Sequence, residues 1–385
     1  MYLKIRVLVL LLISSLVFSA CSDDPASIGG DTLPGDDFVN LLELNPDSVR
    51  HTSTALQRKL NLADADRVLL GKANNNEAFF LVRFNFSALN NDTIKTQIKN
   101  GELNLSSTIE MDPDYSIGST SSPFNFSVHK VNSEWTSKTT LEQFQILIIE
   151  STDLSGPKNI DSLHTFPVNN EIVNNWLLAY ADTSKPDQYG ILFRPDGNID
   201  RAYGYTSINL RVVITKKDNS YTDTLTFSPA DGANFVTGPA PNIPQGNIAL
   251  QGGTGYNGAM NFTLPALPAY TTINRALLQL TINENQSHLG TPKTDSLVIR
   301  FLTGTADSGV QYDSSQVILM KKSGNKYEGD IARYVQRWLN GQNNNGIILS
   351  LFNERVSLDQ LTLFGSQASD PANRPKLYIT YTSKK

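Results

Sequence analysis

The sequence predicts an all-β protein of two tandem β-sandwich domains, jelly-roll-like, each with one short amphipathic helix. Three observations carry this reading. Apolar runs of strand length, such as AFFLVRF (78–84) and IILSLF (347–352), are separated by turns rich in Asn, Ser, Thr, Gly and Pro. The two halves repeat one another in order. Val173, Trp176 and Leu177 answer Val335, Trp338 and Leu339, and Gly190-Ile191-Leu192 answers Gly346-Ile347-Ile348. Phe84, Ala88 and Leu89 answer Phe262, Ala266 and Leu267 at an offset of 178, and Ile98, Leu103 and Leu105 answer Ile273, Leu278 and Leu280 at an offset of 175. Offsets of one domain length mean two copies of a domain rather than a solenoid. Finally, about 340 residues beyond the N-terminal leader and tether suit two cores better than one.

The leader spans residues 1–20. Lys4 and Arg6 precede an apolar run from Val7 to Phe18, too short to cross a bilayer and charged at its start like a signal peptide. Ser19-Ala20-Cys21 resembles the lipobox of bacterial lipoproteins. Cys21 is the single cysteine, so no intramolecular disulfide can form, and a lipid-bearing thioether explains it. The alternative is an ordinary secretory signal followed by a free thiol. Residues 21–45, rich in Gly, Pro and Asp, read as a flexible tether.

The first domain is expected over 46–217. RKLNLA, RVLLGK, AFFLVRFNF and GELNLSST read as strands; Val82, Phe84 and Phe86 share one face, with Arg83 and Asn85 on the other. In SPFNFSVHKVN the face Phe124, Phe126, Val128 is broken by Lys130. A helix over 171–180 and strands over 190–194 and 208–215 finish this copy. KKDNSYTD (216–223) has turn residues and no apolar period, which places the boundary there and the second domain over 218–385. In that copy DIARYVQRWLNG puts Ile331, Tyr334, Val335, Trp338 and Leu339 on one helical face, with Gly341 as the stop. GIILSLF is a buried strand, and Leu377, Ile379 and Tyr381 alternate in a closing one.

These motifs together resemble the DNRLRE domain. The first copy carries its opening residues (Leu81, Arg83, Phe84, Leu89, His129, Val131, Trp135), and residues 64–69 echo the name-giving string. The second carries its closing ones (Val335, Trp338, Leu339, Gly341, Gly346, Arg374, Pro375, Leu377). That resemblance implies a carbohydrate-binding-module-like fold in a secreted protein or lipoprotein. Ser22-Asp23-Asp24 after the cysteine is similar to the opening of Bacteroidota surface lipoproteins, which implies a bacterial outer-membrane location, lipid-anchored at Cys21 and surface-exposed.

Charge and chemistry narrow the function. With 32 basic and 37 acidic side chains the net charge is −5, falling to −7 without Lys4 and Arg6. A mildly acidic chain without Lys/Arg clusters argues against nucleic acid as a partner. His51, His129, His164 and His288 show no metal-ligand spacing, and no G-x-S-x-G or P-loop pattern is present. Asp64-Ala-Asp66 and Asp112-Pro-Asp114 read as turn residues, the alternative being a structural calcium site. No cofactor is otherwise implied. Trp176 and Trp338 read as core by their helical spacing, with sugar stacking as the alternative. Ligand-binding candidates are the tyrosines of glycine-containing loops: Tyr203 and Tyr205 in RAYGYT, and Tyr256 in GTGYNG. The expected function is a non-enzymatic cell-surface lipoprotein that captures polysaccharide. The alternative is a structural or protein-partner-binding subunit of an envelope assembly, and a hydrolase would need converging carboxylates.

Overall fold

The computed structural model describes residues 40–63, 65–182, 184, 188–304 and 310–383. The leader, Cys21 and the tether before residue 40 lie outside the described residues. Strands hold 49% of the described residues and helices 13%, in two curled antiparallel sheets, so the protein is all-β with two domains.

Strands β1 (Asn40–Leu44) and β2 (Arg50–Gln57) come first, then β3 (Val68–Ala73), β4 (Asn76–Phe84), helix α1 (Asp92–Lys99) and β5 (Leu103–Gly118). They are followed by β6 (Phe126–Lys130), α2 (Leu141–Phe144), β7 (Asn159–Ile160), β8 (His164–Pro167), α3 (Asn170–Ala181) and β9 (Ile191–Pro195). Next come β10 (Arg201–Lys216), β11 (Thr222–Phe227), β12 (Pro229–Thr237), β13 (Asn247–Gln251) and β14 (Tyr256–Thr263). The chain continues through β15 (Thr272–Thr281), β16 (Ser296–Leu302), β17 (Tyr312–Ser323), β18 (Lys326–Asp330) and α4 (Ala332–Leu339). It closes with β19 (Ile347–Leu351), β20 (Gln360–Phe364) and β21 (Lys376–Ser383).

In the first sheet the layer β6–β9–β4–β12 faces the layer β11–β10–β5–β8–β7, and β3 joins them by pairing with both β4 and β10. In the second, β16–β19–β14–β2 faces β1–β21–β15–β18, and β13 pairs with β14 and β20. Here β17 also joins the layers, pairing with β16 and β18. Period-two alternation fills each interior. Phe80, Val82 and Phe84 of β4 meet Leu210, Val212 and Ile214 of β10 in one core, while Leu278, Leu280, Ile347, Leu349 and Leu377 build a separate one.

Each copy sends a tryptophan from a helix into its own core. Trp176 is 2% and Trp338 8% exposed, so both fill interior space as their spacing predicts. Helix α3 starts where the Asn169 side chain accepts the Glu171 N–H at 2.8 Å, an N-cap of the usual kind. Before α4 the Asp330 carboxylate takes that role, accepting the Ala332 N–H at 2.9 Å and the Ala276 N–H at 2.9 Å, which pins the helix to β15.

The expected boundaries need correction. Residues 218–223 do not part the domains. Asp218 accepts the Ser220 N–H at 2.9 Å and Asn219 takes φ +58°, so this is the turn of a hairpin whose second arm, β11, pairs with β10. Strand β12 likewise pairs with β4, so the first sheet runs on to Thr237. At the other end the tether stops before residue 40, because β1 pairs with β21 and β2 with β14. The second domain is therefore 40–57 together with 247–383. RKLNLA forms no strand, and among the described residues the first copy has three α-helices rather than one.

The two sandwiches meet along a polar seam. The Tyr115 hydroxyl donates to the Asp359 carboxylate at 2.8 Å, which also accepts the Gly290 N–H at 2.7 Å and the Asn353 amide at 2.9 Å. Arg67 grips Asp114 through two hydrogen bonds of 2.7 Å and donates to the Val356 carbonyl at 3.0 Å. Leu358 packs among Leu69, Tyr115, Ile117 and Ala202 of the first sheet. All of Asp359 is buried, and its oxygens find donors, as a buried carboxylate requires.

Candidate functional site

The three tyrosines do not form a site. Tyr203 and Tyr205 lie in β10, not in a loop; two residues apart, both point inward and are 7% and 1% exposed. Tyr203 packs edge-on against Phe124 and His164, with ring centroids 4.8 and 4.5 Å away. The Tyr205 hydroxyl shares a 2.9 Å hydrogen bond with His164 Nδ1. Burial holds the Tyr205 phenol well above its ordinary range and, with the Arg201 charge added, pushes the His164 imidazole down to about 4. Neither tyrosine can present a face to a sugar. Gly204 between them makes room for a side chain: a Cβ there would collide with Arg67.

Tyr256 opens β14 in the second sheet, half-buried and paired with Gln57 and Gln251. The glycine before it serves the fold. Gly255 takes φ +72°, and a Cβ on it would strike the Arg58 carbonyl. The Asp112-Pro-Asp114 pair sits inside β5, where the ladder to β10 slips register, and not in a turn. Asp114 is taken by Arg67, which removes it as a calcium ligand. Asp64 lies outside the described residues. Among the described residues no three His, Cys, Asp or Glu side chains converge on a metal-sized space.

Two concavities among the described residues bear on function. One lies between the sandwiches, a cleft of about 570 Å³ bordered by Asn74 and Asp200 on one side and by Glu284, His288, Lys293 and Lys322 on the other. Its charges are mixed and it has no aromatic wall. The other is a recess of about 290 Å³ on the first sandwich, near the lower size of small-ligand sites. Phe86 and Trp176 wall it, with ring centroids 6.3 Å apart. Tyr180 stands at its mouth, 44% exposed and 6.4 Å from the Phe86 ring. Arg83 borders it from the outer face of β4, held by Asp231 at 3.5 Å, and Gln188 completes the polar edge.

That recess offers aromatic faces for C–H surfaces and a guanidinium and an amide for hydroxyl or carboxylate oxygens. Its lining among the described residues is Arg83, Phe84, Phe86, Trp176, Ala179, Tyr180, Gln188 and Gly190. The sequence reading missed Tyr180, although a signal existed. Val173, Trp176, Leu177 and Tyr180 fall on one helical face, and the last of them runs past the sheet into solvent. No family model, curated protein or solved structure matches the chain.

Proposed function

We propose that this chain is a non-enzymatic, lipid-anchored cell-surface protein that captures glycan in the recess between α3 and β4. The observation that supports it is the recess itself: an exposed tyrosine and a guanidinium flank an apolar floor. A sugar ring stacked on Tyr180 would bury its C–H face while Arg83 and Gln188 meet its oxygens. The lipobox-like Ser19-Ala20-Cys21 supports the anchor, and the DNRLRE-like motifs support the choice of glycan. Binding of the mature chain to a polysaccharide panel tests this reading. Tyr180→Ala and Arg83→Ala should each weaken capture at least about tenfold, the loss of about 1.4 kcal/mol of contact, and Tyr180→Ala should do so without moving the melting temperature. Absence of binding to every polysaccharide defeats the reading.

A second reading, a partner-binding subunit of an envelope assembly, rests on Ile146 and Ile148. They are 80% and 65% exposed just after α2, an apolar pair that suits a protein contact. Its mark would be a stable co-purifying partner lost in an Ile146→Asp, Ile148→Asp variant that still binds no sugar.

A further inference from the structure

The two sandwiches share one pairing plan. β3·β4, β4·β9, β6·β9 and β5·β8 in the first recur as β13·β14, β14·β19, β16·β19 and β15·β18 in the second. Long β10 corresponds to β20 and β21 together: its first half pairs with β3 as β20 does with β13, and β5 runs along its whole length, its pairing with the second half matching that of β15 with β21. The flanking strands obey the same plan. β11 lies on β10 and β12 on β4, as β1 lies on β21 and β2 on β14. Phe227 and Leu44, each at the end of the first strand of its pair, contact the cores from matching places.

Chain order makes this arrangement an exchange. In sequence β1–β2 precedes the first core and β11–β12 precedes the second. In space each pair completes the other copy. The connections that cross over are short, residues 58–67 and 238–246. The N-terminal pair is also the more weakly seated. Within 41–57 only Val49 is buried, and Leu41 and Leu42 are 66% and 38% exposed, whereas β11–β12 buries Phe227, Ala233 and Phe235. A segment that already reaches its groove from a separate folded body meets the same groove, with the same contacts, on another molecule.

We propose that the groove flanked by β14 and β21 accepts β1–β2 from a second copy of this chain, giving strand-exchanged dimers in equilibrium with the closed monomer. The Arg58–Glu354 ion pair and the Arg58–Asn257 hydrogen bond of 2.7 Å travel with the strand pair and form in either state, which places the hinge of the exchange after Arg58.

Disulfide trapping in residues 22–385, which hold no native cysteine, tests this. Leu42 and Tyr381 are directly opposed in the β1–β21 ladder. Leu42→Cys and Tyr381→Cys in one chain should close an internal disulfide and block dimer formation. The two single variants, mixed and oxidised, should give a dimer linked between positions 42 and 381, identified by peptide mass spectrometry. At low occupancy its fraction should rise about tenfold for a tenfold rise in chain concentration. Internal closure in the double variant without any 42–381 link between chains overturns the proposal. So does a dimer linked only 42–42 or 381–381, or failure of the double variant to close.

Discussion

His164 shows how a buried side chain sets a pH limit on the fold. Its Nδ1 is engaged by Tyr205 and its Nε2 is buried without a partner among the described residues, so a second proton would have nowhere to donate. Its folded-state value of about 4 lies below the ordinary 6.5, so between those values the unfolded chain binds the extra proton and the folded chain does not. The stability is whole above 6.5, drains as pH falls towards 4, and changes no further from this group below that. Urea midpoints measured across this window should fall less steeply for His164→Gln than for the parent chain. An identical slope would remove His164 from the account. At this scale the sequence was a mixed guide. Helical spacing placed Trp176 and Trp338 inside, but Gly204 between Tyr203 and Tyr205 looked like a loop glycine. Its actual reason, clearance for Arg67, comes from a residue 137 positions away and leaves no local trace.

Among elements, α3 and α4 were legible because one residue pattern fixes both their existence and their buried face, whereas the short α1 and α2 were not. Replacing Trp176 or Trp338 with Ala should cost about 3–5 kcal/mol, read by chemical denaturation; a change under about 1 kcal/mol would mean that the helix does not depend on its tryptophan. Strand existence was legible as well, through alternation in β4, β6 and β21. Partnership was not. Asp218-Asn219-Ser220 looks the same whether it parts two domains or turns a hairpin, and only the ladder from Leu210–Phe227 to Thr215–Thr222 decides. The recess of the first sandwich was half legible: its Trp176 wall follows from α3, while Arg83 comes from a strand 93 positions before Trp176.

The whole molecule behaves differently from two domains joined end to end. Repeat spacing suggests independent units, but the seam places Tyr115 of one sandwich against Asp359 and the Leu358 N–H of the other. Calorimetry should therefore show one coupled transition. Tyr115→Phe leaves a buried carboxylate oxygen and an N–H each short of a partner, at a cost of about 1–3 kcal/mol, and should split that transition in two. Two well-separated transitions in the parent chain would show the seam to be weak. The ladder between the first and last described strands has a further consequence. Asn40 pairs with Ser383, so the two ends of the folded region lie side by side. A circular permutant that joins them and opens the chain within 238–246 would read 247–383, then 40–57, then 68–237. Every sandwich would then be one unbroken stretch of sequence, and the interlacing of the two copies would reduce to a choice of where the gene begins.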